Sequence, residues 1–388
     1  MRLEILTEPG EFPRIRKAWE NLCEEVADSG LVFSSCVWYE TWWRHYSAGA
    51  NLNIISLWDA GKLIGIAPLM LRRVSIHNFA ATALCFIGNT QSLNNDFIVL
   101  PAAREVFLRE LLRCLLDRSA QWQIIVLRNL PATSANYRAL VGILEEPGTK
   151  WRLNRTSIDS PYLVPSGSWD DYLASRTPRT RKGLRNIQNS MHKAGEVSVR
   201  NIRTRAEFLS VKDEVFAVAR QSWTEQGGDS LASPGNEAFF YDLALGSAAK
   251  GWLSLWTLSL NGKMIAIEFH LRAYGKDHAM RGHYLPEFAS LSPGTYLEMQ
   301  ILKNAFEKSE RVMTYDFCGS FENYKRKWTD SYVPHCDLEI FGNSLRARLV
   351  VILETVLVPL LKRALPQNFW DNKFFQVCGI STKRMDLK

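Results

Sequence analysis

Asn261-Gly262 separates two apolar runs, WLSLWTLSL and KMIAIEFHLRA. Both residues tolerate positive φ, so the dipeptide predicts a two-residue turn and a β-hairpin over 252–273. Along the second run Ile265, Ile267, Phe269 and Leu271 share one face, and Met264, Ala266, Glu268 and His270 share the other. HAMRGHYL (278–285) follows Gly275 as a third strand, and a loop, EFASLSPG, leads on. In TYLEMQILKNAFEKS the apolar positions Leu297, Ile301, Leu302, Ala305 and Phe306 recur at helical spacing. VMTYDF predicts a further strand, and Cys318-Gly319 leads into FENYKRKW, expected as a second helix. This order brings a helix N-terminus to the end of a sheet, where its free N–H groups favour an anion.

The first half has a similar plan. Helices are expected over 13–28 and in VWYETWWRHY, the latter capped by Ser34 or Ser35. NLNIISLW, Asp59-Ala60-Gly61-Lys62 and LIGIAPLMLRR then form a second hairpin. AREVFLRELLRCLLDRSA is an amphipathic helix and WQIIVLRNLP a buried strand. An internal duplication accounts for this parallel. At 388 residues the chain suits two domains of ordinary size. Periodicity lapses around Asn154 to Pro165, so the boundary is expected near 160. The expected units are 1–160, 161–342 and a tail, 343–388. Ser168 with Asp170-Asp171 predicts a short helix start, Gly195 ends the next helix, and 205–226 is expected to be helical.

With these residues on the page, 251–328 resembles the acyl-donor half of the GNAT acyltransferase fold. The marks are Ser292-Pro293-Gly294, Asp316-Phe317 with Gly319, Glu322, Tyr324-Lys325 and Trp328. WYETWWRHY, GKLIGIAPLMLRR, FIGN, NNDFIVLP and IIVLRNLP extend the likeness over roughly 15–340. The order resembles CelD-type proteins, tandem-GNAT relatives of the FemAB transferases associated with cellulose and other exopolysaccharide synthesis. The resemblance implies an α/β fold of two tandem GNAT-like domains, with mixed, mostly antiparallel central sheets flanked by helices. It implies acyl-CoA, acetyl-CoA first, as co-substrate, with the donor site in 161–342 and the first domain degenerate or acceptor-binding.

Acyl transfer from a thioester needs a cradle for donor phosphates, a base for the acceptor and an acid for the departing thiolate. Leu291, Ser292, Pro293, Gly294, Thr295 and Tyr296 are the expected cradle, although Pro293 brings no N–H. The resemblance places Tyr324 where many GNAT enzymes protonate the thiolate. Asp316 is open between a base, a partner for Lys325 or Arg281, and a cap of the next helix. Glu268 or His270 is the expected base, unless that strand face is simply solvated. Arg281, His283 and Lys325 are expected to meet an anionic acceptor. No GxSxG, Walker A or HExxH pattern occurs, and seven Cys and seven His show no metal-ligand spacing, so no metal is expected.

Nine Lys/Arg lie between Arg176 and Arg205 against Glu196 alone, a local +8 where the whole chain carries +7. Arg181, Lys182 and Arg185 share a helical face, yet aromatics are not interleaved and no long helical arm fits here, which weighs against nucleic acid. The cysteine pattern and the N-terminus, without an apolar signal region, predict a cytoplasmic protein. The tail run Leu349–Leu361 contains one charge, Glu354, between Arg346, Arg348 and Lys362, Arg363. It is shorter than the roughly 20 residues needed to span a bilayer, so 346–363 is expected to pack on the body or to lie at the inner membrane surface. Acyl transfer to an amine or hydroxyl of a sugar or polysaccharide precursor is the expected function. An aminoacyl-tRNA-dependent FemAB-type transferase and a non-catalytic scaffold of a polysaccharide-synthesis complex are the alternatives.

Overall fold

The computed structural model describes residues 1–26, 31–76, 79–147, 151–222, 230–307, 314–342 and 344–352, with 356 and 360. The first half runs β1 (Arg2–Leu6), α1 (Phe12–Val26), α2 (Cys36–Tyr46), β2 (Ala50–Asp59), β3 (Lys62–Ile76) and β4 (Phe79–Phe86). It continues through β5 (Ile98–Val99), α3 (Arg104–Asp117), β6 (Ile124–Pro131), α4 (Ala135–Leu144) and β7 (Trp151–Leu163). Helices α5 (Trp169–Ser175) and α6 (Pro178–Ala194) connect to the second half. That half runs β8 (Val197–Ile202), α7 (Arg205–Gln221), α8 (Asn236–Ala249), β9 (Leu253–Leu260), β10 (Lys263–Ala273) and β11 (Lys276–Tyr284). It ends with α9 (Pro293–Glu307), β12 (Thr314–Asp316), β13 (Tyr332–Phe341) and α10 (Leu345–Ile352). Apart from β5, the same order of strands and helices occurs twice, as a duplication predicts.

Local chemistry explains most of these limits. The hairpin turns take positive φ at Ala60 and Gly61 and again at Asn261 and Gly262, matching the twist of the strands they join. Ser35 Oγ accepts from Trp38 N–H at 3.2 Å and starts α2. Thr204 and Glu207 form a capping box at the start of α7. Two expectations give way. The stretch around Asn154 to Pro165 is strand β7, paired on one side with β13 and on the other with β12. A strand with neighbours on both edges and cover on both faces has no reason to alternate. FENYKRKW is not an α-helix but a turn closed by one 3-10 turn, Lys325–Lys327.

The strands form a single sheet ordered β1-β2-β3-β4-β6-β13-β7-β12-β11-β10-β9-β8, with β5 on β3. Helices α1, α2, α7 and α8 share one core against one face, where Trp19, Trp38, Phe208, Phe239, Ile267 and Phe269 meet. On the other face α3 and α4 cover the first half, and α5, α6 and α9 cover the second. The halves are also tied through α2 and α8. Trp38 meets Phe239 edge-to-face at 5.5 Å, and Arg44 and His45 both reach Asp242.

One close approach fixes how α3 lies on the sheet. A Cβ at Gly65 of β3 would sit 2.4 Å from Cδ2 of Phe107, a ring buried in the core. Gly65→Ala should therefore lower stability by about 1–3 kcal/mol through overpacking. A denaturant titration checks this, and an unchanged midpoint would mean α3 shifts freely.

Candidate active site

Parallel pairing between β11 and β12 covers only Lys276–His278 against Thr314–Asp316. In the first half, β4 and β6 pair in parallel over Ala83–Cys85 against Ile124–Val126. Beyond these short ladders each pair of strands parts. A cavity of about 880 Å³ opens there, lined by Met280, Arg281 and Phe317 from one half and Phe86, Arg128 and Asn129 from the other. The register of β11 on β10 shifts between Phe269 and His270, leaving Met280 as the extra, bulged residue. Arg281 crosses between the halves to donate to Gln91 Oε1 at 2.5 Å and also to its neighbour's carbonyl, Met280 O, at 2.8 Å. Around it, Asn95 donates to Arg128 O at 3.1 Å and Asn129 to Ser92 O at 3.0 Å.

Two carboxyl groups face this cavity, Glu268 from β10 and Glu298 from α9. Behind Glu268 stands His270, fully buried, with Nε2 at 3.1 Å from Glu268 Oε2 and Nδ1 at 2.9 Å from Asp277 Oδ1. Burial opposes charge on His270, but Asp277 and Glu268 outweigh it and raise its pKa to about 10. The ring is therefore an imidazolium donating to both carboxylates. Burial raises Glu268 above the usual carboxylate range, and His270 counters that rise. Glu298 accepts from Tyr315 Oη at 2.6 Å. Burial, then the charge of Glu268, lifts its pKa to about 8. The cavity thus holds an ionised carboxylate beside a protonated one, a base and an acid in one place.

The structure brings Glu268, Arg281, His283, Gly294, Thr295, Tyr324 and Lys325 to one cavity. Of the expected cradle, only Gly294 and Thr295 line it. Helix α9 starts at Pro293, after Ser292 at φ 52°. Tyr296 N–H is taken by Ser292 O at 3.0 Å, while Tyr296 Oη meets His192 Nε2 at 3.0 Å under α6. Leu291, Ser292 and Pro293 lie outside the cavity lining. Lys327 Nζ donates to Thr295 Oγ1 at 3.1 Å, placing a cation beside the helix start that sequence reading missed.

Several expected roles are corrected. His270 does not line the cavity; it orients Glu268 from within the sheet, and this strand face is buried rather than solvated. His283 carries no charge for an anion, because burial and then Arg281 lower its pKa to about 3, and its Nε2 accepts from Leu231 N–H at 3.2 Å. Lys325 is buried and turns inward, donating to Cys318 O at 2.6 Å and Ser320 O at 2.9 Å. It shapes the 318–320 loop, and burial lowers its pKa. Tyr324 sits at the rim, 53% exposed.

Asp316 faces a separate cavity of about 450 Å³, with Asp96, Arg104, Ser134 and Lys276. It accepts from Cys318 N–H at 2.8 Å and Ser160 Oγ at 3.3 Å. It contacts neither Arg281 nor Lys325 and no longer helix follows for it to cap. Burial opposes its charge, yet His278, Lys276 and the Cys318 N–H hold its pKa well below the usual range. His278, Asp316 and Cys318, all buried, bring ligand atoms within 4.8 Å of one another and are a possible metal-ligand set among the described residues. Linear spacing could not find them, since they come from two strands. His278 Nδ1 and Asp316 Oδ2 already pair at 3.3 Å.

Residues 178–326 match the acetyltransferase (GNAT) domain family. No curated protein matches the chain. Among solved structures, the crystal structure of FemX covers 90% of this chain and 99% of its own, at 14% identity and a TM-score of 0.59. L-PGS from Bacillus licheniformis covers 87% of this chain and 94% of its own, at 12% identity and a TM-score of 0.51. The fold is accordingly a tandem GNAT-like α/β fold, and these likenesses support a GNAT/FemAB-like kinship for the chain.

A pH dependence follows from His270. Its folded pKa of about 10 lies above the ordinary 6.5, so its stabilising contribution is complete below 6.5 and is lost as pH rises through about 10. Glu298, raised from 4.5 to about 8, acts in the same direction over its own range. The thermal midpoint should fall from about pH 6.5 to about pH 10. His270→Gln should flatten that slope and destabilise the protein by about 3–5 kcal/mol at neutral pH, since two buried carboxylates lose their shared cation. Identical slopes in calorimetric scans of both proteins would mean that His270 is neutral.

Proposed function

We propose that the chain is an acyl-CoA-dependent acyltransferase that moves an acyl group, acetyl first, to an amine or hydroxyl of a sugar or polysaccharide precursor. Residues 161–342 hold the donor and residues 1–160 face the acceptor. The observation that carries this reading is the gap between β11 and β12, with the start of α9 on one side and Glu268 inside. The donor end fits a phosphate. Among the described residues no hydrogen bond to the N–H groups of Gly294 or Thr295 is present, and Lys327 stands beside them. Bound there, the thioester supplies the activated acyl group.

The chain's own groups then divide the proton work. Glu268, held by His270, accepts the acceptor's proton as the new carbon–nitrogen or carbon–oxygen bond forms. The carbon–sulfur bond breaks, and Glu298 or rim Tyr324 returns a proton to the sulfur. Arg281, fixed by Gln91, and Arg128 give the acceptor end a positive wall that suits hydroxyl-rich or anionic groups. No step calls for a metal.

Thiol release from acetyl-CoA, followed against a panel of amino sugars and saccharide phosphates, tests the reaction. Glu268→Gln should lower kcat about 10²–10⁴-fold, the usual loss of a general base. Tyr324→Phe separates the two acids: a drop of similar size assigns Tyr324, and a drop under about fivefold assigns Glu298.

Gly294→Val tests the donor end alone. A Cβ at Gly294 lies 3.7 Å from Tyr284 Cδ1, so the larger side chain crowds the helix start. CoA should bind about 1–3 kcal/mol more weakly by calorimetry, and unchanged affinity would move the donor elsewhere.

A second reading, an aminoacyl-tRNA-dependent transferase of the FemAB type, draws on α6. Its Arg179, Arg181, Lys182, Arg185 and Lys193 are exposed, and the helix carries no acid. Transfer from charged tRNA without any thiol release from acetyl-CoA would favour it.

A further inference from the structure

Helix α10 is apolar on two sides. Ala347 and Val350 are buried against Val74, Ile76 and Phe341 at the far side of the first half's sheet. On the outer side Leu345, Leu349, Ile352, Val356 and Leu360 are exposed by 78, 52, 48, 46 and 55%. Their spacing of four, three, four and four residues is that of one helical face. Scattered exposed leucines need no explanation, but a continuous apolar stripe marks a surface that meets something apolar. Arg346 and Arg348 are exposed beside it, and Lys362 and Arg363 follow in the sequence with Glu354 as the one acid between them.

We infer that the outer face of α10 and its continuation docks the protein on an anionic lipid surface, the stripe entering the headgroup boundary and the flanking cations meeting lipid phosphates. The site already described plays no part in this. Charge chooses the occupant: a second copy laid along the same stripe would bring like cations together, whereas an anionic bilayer complements them. Among the described residues no helix is long and apolar enough to cross a membrane, and the run Leu349–Leu361 is too short to do so. The helix therefore lies along the surface. An acceptor carried on a lipid would then be brought to the same plane as the enzyme.

The test is co-flotation of the full chain with vesicles of phosphatidylglycerol and phosphatidylcholine at low ionic strength. Leu349→Glu/Ile352→Glu places two acids on the stripe and leaves Ala347 and Val350 seated. Val106→Glu/Leu209→Glu adds the same charge at exposed apolar positions on α3 and α7. The first pair should reduce the bound fraction at least about tenfold, since apolar insertion and cation attraction are both lost. The control pair should bind as the unaltered chain does. Equal flotation of the two variants, or no flotation of the unaltered chain, overturns the inference. So would a dimer, seen by light scattering, that the stripe variant dissolves while the unaltered chain ignores vesicles.

Discussion

Three residues of parallel pairing hold β11 to β12, and the site depends on their being only three. Had the ladder continued, the space now taken by the cavity would be filled by backbone hydrogen bonds. The ladder stops because β11 bulges at Met280 while the chain after Asp316 turns through Cys318 and Gly319, both at positive φ. Asp316 secures that turn by accepting from Cys318 N–H, and Lys325 secures it from the other side through two carbonyls. Both residues look catalytic in the sequence. Their work is to keep two strands apart.

The second dependence is electrostatic. Three carboxyl groups, Asp277, Glu268 and Glu298, and one imidazole are buried at the sheet's centre. An uncompensated buried charge is costly, so the group persists only as a set. His270 between Asp277 and Glu268 lets one cation serve two anions, and Tyr315 satisfies Glu298, which keeps its proton. The arrangement that makes the interior tolerable also leaves a base and an acid side by side, so stability and chemistry draw on the same hydrogen bonds.

Much of this fold is legible in the sequence because local chemistry and tertiary structure agree. Asn261-Gly262 and Ala60-Gly61 set both hairpins, and the 3.6-residue spacing of Leu297, Ile301 and Leu302 sets α9. The failures have specific causes. Helix α8 buries Phe239, Phe240, Leu243 and Ala244 against neighbours on several sides, so it shows no single apolar stripe. Strand β7 is paired on both edges and does not alternate. FENYKRKW has helix-forming residues, but Lys325 folds back onto the loop and Trp328 is buried beneath it. Glu268 was visible as a polar residue in an apolar strand. Glu298 was not, because a glutamate in an amphipathic helix ordinarily faces water, and only the packing of α9 on the sheet shows that this one does not.

The central claim is that the gap between β11 and β12 receives the acyl donor while the first half faces the acceptor. Hydrogen exchange of the full chain with and without acetyl-CoA tests it most directly. Protection should appear in the amides of 279–284 and 294–298, with 83–95 and 126–130 unaffected until an acceptor is added. Protection confined to the first half, or none anywhere at saturating acetyl-CoA, would contradict the account.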